Sequence, residues 1–128
     1  VTEQLFSLGC HEVSLGDTIG RGTPDKVAAM LDAVLAIAPA HSLAGHYHDT
    51  GGRALDNIRV SLEKGLRVFD ASVGGLGGCP FAPGAKGNVD TVSVVEMLHG
   101  LGFETSLDLD KLKSAALFAQ ALRQDKAA

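Results

Sequence analysis

Apolar positions along the chain follow two alternating rhythms. Val27, Met30, Leu31, Val34, Leu35 and Ala38 recur at helical spacing, which predicts a helix capped by Thr23, opened by Pro24 and stopped by Pro39. Leu55, Ile58 and Leu62 mark a second amphipathic helix from about Arg53 to Lys64, closed by Gly65. A third is predicted from about Thr91 to His99. A fourth runs from Leu109 to about Gln124, with Leu112, Ala116, Ala119 and Leu122 along one side and Asp108 as its cap. Val1 to Gly9 reads as the last turns of a further helix, with Gly9 at the stop position. Between these lie short apolar runs of strand length: Glu12 to Leu15, Leu43 to His48 and Leu66 to Ala71.

Strands that alternate with helices form right-handed parallel βαβ units, found in open doubly wound α/β sheets and in (β/α)8 TIM barrels. In a barrel the functional groups stand at the carboxyl ends of the strands. All three predicted strands end in chemically useful residues: Asp17; then His46, His48 and Asp49; then Asp70 and Ser72 with a glycine-rich loop. Three strands do not close a barrel of eight. The expectation is therefore that residues 1–128 form the C-terminal part of one barrel domain, the last three or so β/α units plus C-terminal helices, with the N-terminal strands absent from this chain.

Composition narrows the partners. The chain has 128 residues, 45% of them hydrophobic, and a net charge of −4, enough for a buried core but without a basic cluster. No nucleic acid or anionic membrane surface is implied. No apolar run reaches membrane-spanning length, because Asp32 interrupts the longest, and no signal peptide opens the chain, so a soluble protein is expected. Cys10 and Cys79 form neither a CxxC pair nor a disulfide framework, which fits a reducing compartment, and Cys10 is expected to pack beside a strand.

The stretch His46-Tyr47-His48-Asp49-Thr50 organises the candidate chemistry. Two histidines two residues apart on a strand project from one face, which is how two imidazoles reach one divalent ion, and Asp49 could fix their tautomer. A pair of hydrogen-bonded strand-end histidines reads equally well from the tripeptide alone. Gly74, Gly75, Gly77 and Gly78 permit close approach of a ligand or simply form a turn. A nucleotide P-loop is excluded, because Lys86 is followed by Gly87 and Asn88 rather than by Ser or Thr. Cys79, between Gly78 and Pro80, offers a thiol for proton exchange near neutral pH. Asn88 offers an amide oxygen to a metal, or a turn or cap. His11, His41 and His99 lack partners in the sequence pattern and read as solvated or structural.

The segments Ser14-Leu15-Gly16-Asp17-Thr18-Ile19-Gly20, His46 to Thr50, and Ala71 to Phe81 continuing to Gly87-Asn88 resemble the 3-hydroxy-3-methylglutaryl-CoA lyase family nearly end to end. The cysteine-containing glycine loop distinguishes that family from Claisen-type relatives that share His-x-His and Gly-Asn. The resemblance implies a metal-dependent TIM barrel that cleaves 3-hydroxy-3-methylglutaryl-CoA to acetyl-CoA and acetoacetate by a retro-Claisen reaction, in leucine catabolism and ketogenesis. It implies His46, His48 and Asn88 as ligands of a divalent metal, Mg2+ or Mn2+. It also implies Cys79, His46 and Asp17 as catalytic residues, and Gly75, Gly77 and Gly78 as the substrate loop. An acyl-CoA substrate follows from the same likeness, an unpaired strand edge leads to the expectation of a homo-oligomer, a dimer, and the cysteine pattern points to a bacterial cytoplasm or mitochondrial matrix rather than secretion. The family's first-strand Arg-Asp pair has no counterpart here, so these residues alone are expected to bind metal weakly and to lack lyase activity. A related synthase or aldolase of the same superfamily, or an inert barrel fragment, are the alternative readings.

Overall fold

The structure is a computed structural model that describes residues 1–77 and 87–124. The elements run α1 (Thr2–Ser7), β1 (Val13–Asp17), α2 (Pro24–Leu35), β2 (Leu43–Tyr47), α3 (Ala54–Glu63), β3 (Val68–Asp70), α4 (Thr91–Gly100) and α5 (Leu109–Gln124). β1, β2 and β3 form a parallel sheet in that order, so the predicted βαβ alternation is the observed architecture. Several boundaries differ. β1 extends beyond Leu15 because Gly16 and Asp17 pair with His46 and Tyr47. α2 ends at Leu35 rather than at Pro39, although Ala38 still closes a turn onto the Val34 carbonyl. Thr23 occupies the cap position in extended backbone, but its side chain makes no cap hydrogen bond.

Other signals read true for a local reason. Pro24 stands in the first turn of α2, where a missing N–H costs nothing. Asp108 Oδ1 accepts the N–H groups of Asp110 and Lys111, and Gly9 takes a φ of 92° just past α1. Asp90 caps α4 by accepting from the Ser93 N–H and hydroxyl, a cap not recognised from sequence.

Residues paired across parallel strands share a face of the sheet. Val13, Leu15, Leu43, Tyr47 and Phe69 face the helices and join Val27 and Leu31 of α2 and Ile58 and Leu62 of α3 in the core. Gly45 lies beneath two of these rings, where a Cβ would stand 2.7 Å from Tyr47 Cε2 and 3.1 Å from Phe69 Cδ1. Its missing side chain lets Tyr47 fold inward to 2% exposure, where its hydroxyl meets Ser61 Oγ at 2.7 Å. The opposite face carries Ser14, Gly16, Ala44, His46, Val68 and Asp70 and is largely open, as the interior face of a barrel segment taken by itself would be. α5 packs on the turn Val73–Gly75 and against α4, to which Lys113 and Glu96 add an ion pair at 2.7 Å. Among the described residues no helix is long and apolar enough to cross a membrane.

Candidate metal centre

His46 is the fourth residue of β2, and His48 lies just beyond the strand's last residue. The alternation of strand side chains puts both on the open face. Their ring centroids are 5.2 Å apart and the planes are tilted by 55°. The two imidazoles are therefore side by side, as the spacing predicts.

Asn88 joins them through the backbone. The Asp49 N–H donates to the Gly87 carbonyl at 2.7 Å, and the Val89 N–H donates to the Tyr47 carbonyl at 3.3 Å. These bonds flank His48 and Asn88, which makes them a non-hydrogen-bonded antiparallel pair, the kind with the shorter Cα separation and closer side chains. The same segment is held on its other side by the Ser72 N–H donating to the Val89 carbonyl and the Thr91 N–H to the Ser72 carbonyl. Asn88 Nδ2 donates to the Leu76 carbonyl at 3.1 Å, so Oδ1 is the end of the amide left to act as a ligand. Gly77 makes this possible. It has a φ of 94°, and a Cβ there would stand 2.6 Å from Asn88 Nδ2.

The donor set fits a divalent cation. His48 Nδ1 is buried without a hydrogen-bond partner among the described residues, and a buried nitrogen left in that state is costly unless something binds it. Two imidazoles and an amide oxygen suit a borderline or moderately hard divalent ion. Among the described residues no three His, Cys, Asp or Glu side chains gather into a ligand set of their own, so a shell built here would have His46, His48 and Asn88 as only part of its donors.

The remaining expectations fare differently. A carboxylate that the sequence pattern did not pair with the histidines, Asp70, stands against His46, with Oδ2 at 3.4 Å from Nδ1. Asp49 Oδ1 accepts the Ala54 N–H at the start of α3. Asp17 lies on the helix side of the sheet, where Oδ1 accepts the Arg21 N–H at 3.1 Å and Oδ2 the Gly22 N–H at 2.8 Å. It shapes the loop after β1 instead of joining the histidines. Asn57, buried in α3, secures that loop by donating from Nδ2 to the Gly22 carbonyl at 3.2 Å. Gly75 and Gly77 lie at the start of the loop after β3, both at positive φ, while Gly78 and Cys79 lie outside the described residues. Cys10 is exposed, not packed, because the turn after α1 carries it off the sheet. His99 has a partner, Thr105 Oγ1 at 2.8 Å from Nε2, and is exposed, in keeping with a structural role.

Asp70 and Ser14 were not assigned a role from sequence. Ser14 Oγ donates to Asp70 Oδ2 at 3.0 Å, on the face that holds His46. Ser14 has the opposite parity to the strand-end Asp17, so only the register against β2 puts it and Asp70 on the histidine face.

Comparison with known proteins gives a consistent picture. The family model described as HMGL-like matches residues 1–118. The chain is 57% identical over 118 residues to the mitochondrial hydroxymethylglutaryl-CoA lyase of Arabidopsis thaliana, covering 92% of this chain and 25% of that protein. It is 58% identical to the cytoplasmic 3-hydroxy-3-methylglutaryl-CoA lyase of Danio rerio, covering 92% of this chain and 35% of that one. The crystal structure of the HMG-CoA lyase from Brucella melitensis is 93% identical, with a TM-score of 0.94, covering 96% of this chain and 44% of that chain. The chain thus spans less than half the length of each.

Proposed function

Because the chain belongs to the HMGL-like family, we propose that it forms the metal-binding and loop-bearing part of a lyase that cleaves 3-hydroxy-3-methylglutaryl-CoA to acetyl-CoA and acetoacetate. In this reading the three β/α units belong to the C-terminal part of a (β/α)8 barrel. The observation that carries the proposal is the side-by-side pair His46 and His48 with Asn88 registered against the second, His48 Nδ1 being buried without a partner among the described residues.

His46, His48 and Asn88 Oδ1 would hold the divalent cation on which the family depends, Mg2+ or Mn2+ in this reading. When bound, the ion supplies Lewis-acid polarisation of the substrate's tertiary hydroxyl, lowering its pKa. The rest of the chemistry is proton traffic and positioning. Cleavage requires the hydroxyl proton to leave as the carbon-carbon bond breaks, and the departing acetyl-CoA enolate must then be protonated. The Cys79 thiol is the group assigned to proton transfer, while His46, whose one nitrogen lone pair would be on the cation, contributes through the metal. Gly75, Gly77 and Gly78 let the loop approach the substrate closely and exclude water. Asp17 contributes by holding the Arg21–Gly22 turn at the end of β1. The CoA portion of the substrate belongs to the whole protein, and a homodimer is the expected assembly, checked by light scattering. The compartment differs between the Arabidopsis and Danio relatives, so a cytoplasmic or matrix setting follows from the source cell rather than from this chain.

The test is acetoacetate release from 3-hydroxy-3-methylglutaryl-CoA by a protein of full lyase length carrying these residues, with added Mg2+ or Mn2+. Turnover that His46→Ala abolishes is expected. Carbon-carbon condensation in place of cleavage would point to a related synthase. Residues 1–128 by themselves are expected to show no turnover.

A further inference from the structure

On the open face of the sheet, one side chain from each outer strand and one from the middle strand converge. Asp70 Oδ2 accepts from Ser14 Oγ at 3.0 Å and lies 3.4 Å from His46 Nδ1. The register explains how they meet. Ser14 pairs with Ala44, and His46 with Asp70, so Ser14 and Asp70 are two strands apart and offset along the sheet. Neighbouring strands are spaced by about 4.8 Å, so two short side chains on outer strands touch only over a small residue between them. Ala44 is that residue, and it is 1% exposed on a face that is otherwise open.

We infer that Asp70 is the positioning residue for His46: it holds the Nδ1–H form of the ring, so that Nε2 is the nitrogen presented to the cation, and Ser14 aims the carboxylate. This rests on the metal reading above. A neutral imidazole binds a metal through one nitrogen, and the acceptor on the other fixes both the tautomer and the ring's orientation. Removing that acceptor leaves the ring to divide between tautomers. The Asp70 side chain is 54% exposed and that of His46 35%, so the pair acts through direction and not through a large contribution to stability.

The test uses Asp70→Asn, which keeps the shape of the side chain, and Ser14→Ala, each in a protein of full lyase length. Mn2+ alone is the probe, with the free ion followed by electron paramagnetic resonance, and the nitrogen-15 shifts of the His46 ring are read in the metal-free protein. Asp70→Asn is expected to weaken Mn2+ binding by about 10- to 100-fold and to move the ring shifts away from the Nδ1–H pattern. Ser14→Ala should move both in the same direction by less. Wild-type affinity together with wild-type ring shifts in a folded Asp70→Asn protein would overturn the role given to Asp70. Failure of the wild-type protein to bind Mn2+ would overturn the metal reading instead, and the ring shifts would then decide the positioning role alone.

Discussion

His48 and Asn88 face each other as a non-hydrogen-bonded antiparallel pair, locked between the Asp49–Gly87 and Val89–Tyr47 backbone bonds. Forty residues separate them in sequence, yet their side chains leave the backbone on the same face. The carboxyl end of β2 and the end of the glycine-rich loop are thereby made into one site.

That pairing depends on Gly77. Gly77→Ala puts a methyl group 2.6 Å from Asn88 Nδ2 at a φ of 94°, so the amide must move or the loop must change course. Mn2+ affinity in a protein of full lyase length is expected to fall by about 10-fold or more, the scale of losing a group that supports a ligand. Unchanged affinity in an Mn2+ titration would remove Asn88 from the metal shell.

Ala44 provides a check on the bridge above it. Ala44→Leu places a branched side chain under the Ser14–Asp70 hydrogen bond. The bond should break, with a stability loss of about 1–3 kcal/mol from overpacking. Mn2+ affinity should fall in the same direction as for Asp70→Asn, whereas a matching loss of stability with no change in affinity would separate packing from metal positioning.

Tyr47 is the single tyrosine of the chain, so its ionisation can be followed directly by the near-ultraviolet absorbance of tyrosinate. Burial raises its pKa above the ordinary 10.0, the hydrogen bond with Ser61 counters part of the rise, and the Asp17 charge adds to it. The native state keeps this proton after the unfolded chain has released it. Stability therefore falls as pH climbs past about 10, and the loss ends only above the folded-state pKa. Tyr47→Phe should abolish this part of the alkaline slope while costing about 1 kcal/mol at neutral pH for the hydrogen bond with Ser61. An absorbance midpoint at 10.0 or below in the folded protein would contradict the burial. Lys113, raised by Glu96, shifts stability in the same direction, but it is fully exposed and screened.

Cys79 stands in the glycine loop of the sequence, and its role is chemical rather than structural in the proposed reading. Cys79→Ala is expected to retain metal and to lose turnover by about 100-fold or more, the scale of a general acid-base contribution. Wild-type turnover with metal bound would take the thiol out of the mechanism.

Leu31 is fully buried between α2 and the sheet. Leu31→Ala should destabilise the fold by about 2–5 kcal/mol, measured by urea unfolding, because the packed neighbours relax only partly around the space it leaves.

The sequence by itself determined the order of strands and helices, the positions of Pro24, Gly9 and Asp108 at helix ends, and the presence of His46 and His48 on one face. These follow from periodicity and from backbone preferences that act within a few residues. Only the tertiary structure decided which carboxylate meets which imidazole, since Asp49 is His48's neighbour in the chain while Asp70 is His46's neighbour in the sheet. It likewise turned Asp17 away from the histidines, because the extra paired residues of β1 set it beside Tyr47 on the helix side. Strand register and the small volume of Ala44 are cooperative properties of three segments packed together, and no local pattern in any one of them encodes the Ser14–Asp70–His46 contact.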